Sequence, residues 1–174
     1  KNVISDLPEK MVLNEYCYLS KPQAVLYEKT LNEMMEKISG FTGINRRGNI
    51  FKLITALKQI CNHPYQFLKG GDISRELSGK MDKCISTVES ILEHGEKTLI
   101  FTQYKEMGDI LCKIIADECN TEPLFFHGSL TVPQREQLIE KFQTDPECKI
   151  MILSLKAGGT GLNLTSATNV IHYG

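Results

Sequence analysis

The sequence predicts an α/β fold in which helices cover both faces of a parallel β-sheet, preceded by a small, mainly helical N-terminal segment. From Ser78 onward, stripes of apolar residues at helical spacing alternate with short apolar runs. The run at 150–155, IMILSL, lacks the polar alternation of a half-exposed strand, so it is typical of a strand buried on both faces. Helices and strands that alternate at this spacing form right-handed crossovers and therefore a parallel sheet.

Residues 1–77 are predicted to form a strand followed by helices. Met11–Leu19 mixes apolar and aromatic residues in a strand-like pattern. The sequence Ser20-Lys21-Pro22-Gln23 has the form of a capping box with proline in the first turn, so a helix begins there. Its apolar stripe continues to Ile38, and Gly40 ends it.

A second helix is predicted from about residue 50 to 61, after a loop at 41–49. Pro64 prevents it from continuing, and Gly70-Gly71 indicates a junction between two domains. Four cations lie in the loop and the helix, and they are compatible either with a basic patch that faces nucleic acid or with an ordinary solvated face: Arg46, Arg47, Lys52 and Lys58.

The second predicted domain covers 78–174. Its elements are a helix closed by Gly95, a strand at 97–102, a helix at 107–119, a strand at 123–127, a helix that begins at Thr131, the strand at 150–155 and a last strand at 169–173. Ligands of such sheets bind at the carboxyl ends of the strands. That edge is predicted to gather polar residues and glycines: Gln103, Tyr104, His127, Gly128, Ser154–Gly161, Tyr173 and Gly174.

The loop after the 150–155 run contains Gly158, Gly159 and Gly161. Glycines let the main chain approach a ligand closely, and free amides at a strand end can hold phosphate, with Lys156 and the Ser154 hydroxyl as further donors. The loop lacks the Gly-Lys-Ser/Thr end of a Walker loop and the third glycine of a dinucleotide fingerprint. A turn that serves packing alone is the alternative interpretation.

Composition excludes several classes of function. The formal net charge is −1, so any nucleic-acid site must be a local patch. The 6 cysteines form no C-x-x-C pair, which argues against a zinc site and for a reducing, intracellular compartment: cytoplasm or nucleoid in a bacterium, nucleus in a eukaryote. The sequence has neither a membrane-length apolar run nor a signal peptide. It starts without methionine and stops within a pattern, so we expect a fragment.

Five motifs in order resemble those of one family: LKQICNHP at 57–64, SGKM at 78–81, TLIFTQY at 98–104, FFHGSLTVPQRE at 125–136 and ILSLKAGGTGLNLTSATNVIHY at 152–173. On these motifs nearly the whole chain resembles the C-terminal RecA-like lobe of a Swi/Snf-family DNA translocase of helicase superfamily two. The resemblance implies a RecA-like sheet at 78–174 and makes 1–77 the lead-in segment of this second lobe.

The resemblance also assigns roles to residues. It implies that eight of them face the backbone of double-stranded DNA: Gln103, Tyr104, His127, Gly128, Ser154, Lys156, Gly158 and Gly159. It implies that Gly161 and Asn163 turn toward a nucleotide in the cleft between two lobes. For His127 and Gln103 the alternative is that they only satisfy buried hydrogen bonds at strand ends. Arg135 is expected to pair with a carboxylate on its own helix.

In the full-length protein the resemblance implies ATP and Mg²⁺ as cofactors. It implies double-stranded DNA, an N-terminal RecA-like lobe of the same protein and DNA-bound proteins as partners, as in chromatin remodelling. The sequence has no Gly-Lys-Thr loop and no Asp-Glu magnesium box, and it stops before the sixth motif with its arginine fingers. Because phosphoryl transfer needs these parts together, we expect this piece alone to bind no cofactor and to hydrolyse no ATP.

Two other functions are compatible with parts of the pattern. One is a degenerate helicase lobe that binds nucleic acid or a protein without hydrolysis. The other is an unrelated Rossmann-type nucleotide-binding enzyme, which the failed glycine fingerprint and the lack of a suitably placed acidic ribose partner disfavour.

Overall fold

The computed structural model of the chain describes residues 11–154 and 162–174. Its elements in chain order are α1 (Lys21–Ile38), α2 (Gly43–Asn62), α3 (Pro64–Leu68), a 3₁₀ turn (Arg75–Leu77), α4 (Gly79–Glu93), β1 (Thr98–Thr102), α5 (Lys105–Cys119), β2 (Leu124–Phe126), α6 (Val132–Thr144), β3 (Ile150–Ser154) and β4 (Asn169–His172).

The four strands form one parallel sheet in the order β2-β3-β1-β4. At the carboxyl ends Thr102 of β1 lies opposite Ser154 of β3, and Phe126 of β2 lies opposite Leu153. The predicted parallel sheet is therefore confirmed, and the residues that follow the strands share one edge.

Helices cover both faces of the sheet, as predicted. On one face α4 and α5 pack on alternate strand residues such as Ile100 and Ile152, both fully buried. On the other face Phe142 of α6 packs against Met151 and Leu153 of β3. Strand β3 is thus buried on both faces, which is why its sequence is apolar without alternation.

The predicted capping box at Ser20 is present, and a second one lies at Thr131, where the sequence predicts a helix start. The Ser20 hydroxyl accepts a hydrogen bond from the Gln23 amide at 3.2 Å, and Gln23 Oε1 accepts one from the Ser20 amide at 2.9 Å. The Thr131 hydroxyl and Gln134 form the same reciprocal pair at the start of α6. These local signals fix where α1 and α6 begin.

Two predictions for the N-terminal segment are wrong. The strand expected within Met11–Leu19 is absent: described residues 11–19 carry neither helix nor strand and are exposed, because no neighbouring strand pairs with them. Helix α2 begins at Gly43, within the predicted loop. Gly43, the first residue of the helix, has φ 61°, a conformation that favours glycine. Gly48 lies inside the helix, which tolerates it because one interior glycine costs only about 1 kcal/mol.

The N-terminal helices pack on the sheet domain through a buried polar cluster centred on Asn62. The Asn62 carbonyl accepts hydrogen bonds from the Ser78 hydroxyl at 2.8 Å and from Tyr173 Oη at 2.6 Å. Asn62 Oδ1 accepts one from Lys80 Nζ at 2.7 Å. Gln23 joins them, because its Nε2 donates to the Ile60 carbonyl at 2.8 Å and its Oε1 accepts from the Gly79 amide at 3.1 Å. We call these residues the Asn62 cluster.

Candidate nucleic-acid interface

The exit of β1 places Gln103 and Tyr104 at the carboxyl edge. Thr102 is buried and its hydroxyl donates to the Gly174 carbonyl at 2.8 Å, while the Gln103 amide donates to the same carbonyl at 3.2 Å. The Gln103 side chain is exposed and makes no hydrogen bond to any described residue, so it does not satisfy a buried partner. Tyr104 is half-buried and precedes α5 as its N-cap residue.

The exit of β2 is a tight turn that begins at His127. The Leu130 amide donates to the His127 carbonyl at 3.3 Å, and the Ser129 amide donates to His127 Nδ1 at 3.3 Å. The imidazole packs at 4.8 Å against the Phe125 ring. Burial, helped by Lys105, lowers the pKa of His127. The ring is therefore neutral near pH 7, and because Nδ1 accepts a hydrogen bond, its proton is on Nε2.

Arg135 on α6 is bound to this turn and not to a carboxylate, so the expected ion pair on its own helix is absent from the described structure. Its Nη2 donates to the Gly128 carbonyl at 3.1 Å, and the guanidinium lies 5.6 Å above the Phe126 ring. Its Nε is buried without a partner among the described residues. The aromatic face and the carbonyl hold the side chain toward the strand end, away from the acids of its helix.

The exit of β3 is described only in part. Ser154 is 5% exposed and ends the strand opposite Thr102, so little of its side chain reaches the surface. Asn163 is exposed. Four predicted contact residues lie outside the described residues: Lys156, Gly158, Gly159 and Gly161.

A cavity of about 430 Å³ opens beside the β1 exit. It is lined from α1, α2, α4 and the strand ends by Tyr27, Ile54, Leu57, Lys58, Cys61, Asn62, Lys80, Gln103, Tyr104 and Gly174. Lys58 thus lies beside the predicted contact residues, whereas Arg46, Arg47 and Lys52 do not line the cavity. Lys80 also lines the cavity, although no sequence pattern indicates it, and burial lowers its pKa.

The part of the chain that the structure describes contains no group of three or more His, Cys, Asp or Glu side chains that could hold a metal ion. Across the described ranges, no helix has both the length and the apolarity that a membrane crossing requires.

Comparison with known proteins identifies the family of the chain. The chain is 39% identical over 175 residues to the putative ATP-dependent helicase/translocase YwqA of Bacillus subtilis; the match covers 99% of this chain but 19% of that protein. Two solved structures from Sulfolobus solfataricus are similar. The SWI2/SNF2 ATPase C-terminal domain is 44% identical with a TM-score of 0.86, covering 92% of this chain and 70% of that one.

The second solved structure is the SWI2/SNF2 ATPase core in complex with dsDNA. It is 43% identical with a TM-score of 0.90, and the match covers 98% of this chain and 36% of that one. The family description helicase conserved C-terminal domain matches residues 79–174, which begin with α4 and include the whole sheet. The chain therefore belongs to the helicase conserved C-terminal domain family, in its SWI2/SNF2 branch.

Proposed function

We propose that the chain is the second motor lobe of an ATP-dependent translocase that moves on double-stranded DNA without separating its strands, and that it contacts the DNA backbone along the carboxyl edge of its sheet. The observation that carries this proposal is the 98% coverage of the chain by an ATPase core whose structure is a complex with dsDNA. The chain spans only 19% of the length of the YwqA relative, so motor activity is proposed for a longer protein.

The chemistry of the edge supports backbone contact. The exposed Gln103 side chain and the neutral His127 ring are hydrogen-bond donors that carry no net charge, and the Gly128 amide has no acceptor among the described residues. Neutral donors can form hydrogen bonds to phosphate oxygens, and contacts to phosphate read no base sequence. Lys58 beside the cavity adds a charge that attracts phosphate at longer range.

ATP is proposed to bind between this lobe and an N-terminal lobe of the same protein, with Asn163 and Gly161 on the nucleotide side. When bound, ATP with Mg²⁺ would supply the phosphoryl group whose hydrolysis drives movement. The residues of this chain would hold DNA on one flank of the 154–163 segment and face nucleotide on the other. Closure of the lobes would then displace the DNA-contacting donors along the duplex.

Equilibrium binding to a short labelled duplex tests the DNA contact. We expect weak binding that is indifferent to sequence and weakens as salt rises, with a shallow slope because few phosphates are neutralised. Affinity that does not change between low and moderate salt would contradict the proposal.

An ATPase assay tests the assignment as half of a motor. We expect no hydrolysis by this chain alone, and DNA-stimulated hydrolysis by a protein that joins it to an N-terminal lobe with a phosphate-binding loop and to a sixth motif with its arginines, since cradle, metal and arginine must act together. Absence of stimulated hydrolysis in the joined protein would favour a lobe that only binds. ATP hydrolysis by the isolated chain would contradict the proposal that it is only half of the motor.

A further inference from the structure

The Gly128–Ser129 peptide group is bound on both of its sides. Its oxygen, the Gly128 carbonyl, accepts a hydrogen bond from Arg135 Nη2 at 3.1 Å. Its N–H, the Ser129 amide, donates to His127 Nδ1 at 3.3 Å. Arg135 and the His127 ring are therefore connected through a single rigid peptide plane.

The guanidinium is itself held in place. It lies above the Phe126 ring at 5.6 Å. The Arg135 amide donates to the Thr131 carbonyl at 2.9 Å, so both the main chain and the side chain of the residue are bound. Its buried Nε has no partner among the described residues.

The charged groups near His127 do not provide another partner for Arg135 among the described residues. Among the described residues, Lys105, Asp109 and Arg135 are the charged groups that act on the His127 ring. Lys105 and Asp109 pair with each other at 3.3 Å on α5. Arg135 forms no ion pair with a described residue; its side chain contacts the Gly128 carbonyl and the Phe126 ring.

We propose that Arg135 is a positioning residue: through the Gly128–Ser129 peptide it fixes the orientation and the Nε2–H tautomer of His127, which is thereby kept as a neutral donor to a DNA phosphate. Arg135 itself does not touch the phosphate. The proposal rests on the proposed DNA contact, but its first step concerns the free protein and is measurable without DNA.

The first measurement is the ring nitrogen chemical shifts of His127 in the free chain by ¹⁵N NMR. We expect the wild-type ring to be in the Nε2–H form, and Arg135→Lys to show a mixture of tautomers, because lysine keeps the charge but not the planar guanidinium that both stacks and donates. Lys141→Met removes a charge from an exposed position of the same helix and serves as control. Identical His127 shifts in wild type and Arg135→Lys would overturn the proposal.

The second measurement is the salt dependence of duplex binding. Arg135→Lys and Arg135→Ala should each bind about tenfold more weakly, with the slope of log K against log salt unchanged, because the lost contacts come from neutral donors. Unchanged affinity would refute the positioning role. A decrease of about one in the steepness of log K against log salt would refute it too, because it would mean that Arg135 itself neutralises a phosphate. Thermal unfolding of each variant distinguishes a folding defect from a loss of DNA contact. If Arg135→Ala does not fold, Arg135→Lys still tests the proposal. If the wild-type chain binds no duplex, the proposed function fails while the tautomer result stands by itself.

Discussion

Tyr173 and Asn62 are 111 positions apart in sequence, yet Tyr173 Oη donates a 2.6 Å hydrogen bond to the Asn62 carbonyl. The bond joins the residue after β4 to the end of α2. Both residues are buried, and burial raises the pKa of Tyr173 well above its usual value, so the phenol remains a donor. This contact ties the N-terminal helices to the strand end beside Gln103 and Gly174.

Tyr173→Phe should lower the free energy of unfolding by about 1 kcal/mol. The loss is modest because the Asn62 carbonyl keeps its bond from the Ser78 hydroxyl. Urea unfolding monitors the change, and Tyr16→Phe at a 91% exposed position is the control. Equal stability of Tyr173→Phe and wild type would mean that the Tyr173 hydroxyl contributes nothing to docking of the helices.

Glycine substitutions separate two kinds of position. Gly48→Ala should stabilise the protein by up to about 1 kcal/mol, because Gly48 lies inside α2 with open space where a methyl group would be. Gly79→Ala should destabilise it, since the new methyl would overlap the Tyr18 carbonyl. Thermal unfolding distinguishes the two signs. A stabilising Gly79→Ala would show that the Tyr18 main chain moves aside freely.

The elements with local signals were predictable from sequence, and those with long-range causes were not. The capping boxes at Ser20 and Thr131 and the apolar β3 depend on neighbouring residues or on simple burial, so the pattern identifies them. The Asn62 cluster has no local pattern, because its partners come from α1, α4 and the end of β4. No pattern near Asn62 in the sequence indicates this role.

The candidate site also has features that the sequence predicts and features that it does not. The gathering of Gln103 and His127 at one edge follows from the parallel sheet, which the sequence predicts. The partner of Arg135 does not, because the choice between a helix carboxylate and the Gly128 carbonyl depends on where the β2 turn places that carbonyl.

Stability should rise with pH through the titration of His63. The ring is fully buried; its Nδ1 accepts from the Tyr65 amide at 3.1 Å and its Nε2 donates to the Ser74 carbonyl at 2.9 Å, which requires the neutral form. Burial lowers the pKa of His63 below its ordinary value of 6.5. Below that value the unfolded chain binds more protons, so the stabilisation is complete above about pH 6.5 and is lost as pH falls through the folded pKa.

Urea unfolding at about pH 5.5 and about pH 7.5 measures this dependence. His63→Gln should be less stable than the wild type at the higher pH. Its free energy of unfolding should also differ less between the two pH values. The pKa of His127 is also lowered, so the comparison is between wild type and variant and not with a flat line. The same pH dependence in both proteins would exclude His63 as a contributor.

The DNA contact is most directly tested at Gln103. Its side chain is exposed and bonded to no described residue, so Gln103→Ala removes a donor from the carboxyl edge without a folding cost. Affinity for a labelled duplex should fall about tenfold, the size expected for a hydrogen bond to a charged oxygen. Gln137→Ala is the matched control, since Gln137 is also exposed but belongs to α6 and not to a strand exit. Because Gln103 carries no charge, the salt slope should stay constant, which distinguishes a lost hydrogen bond from a general weakening of electrostatic attraction. Equal binding by Gln103→Ala and Gln137→Ala would place the duplex elsewhere on the lobe.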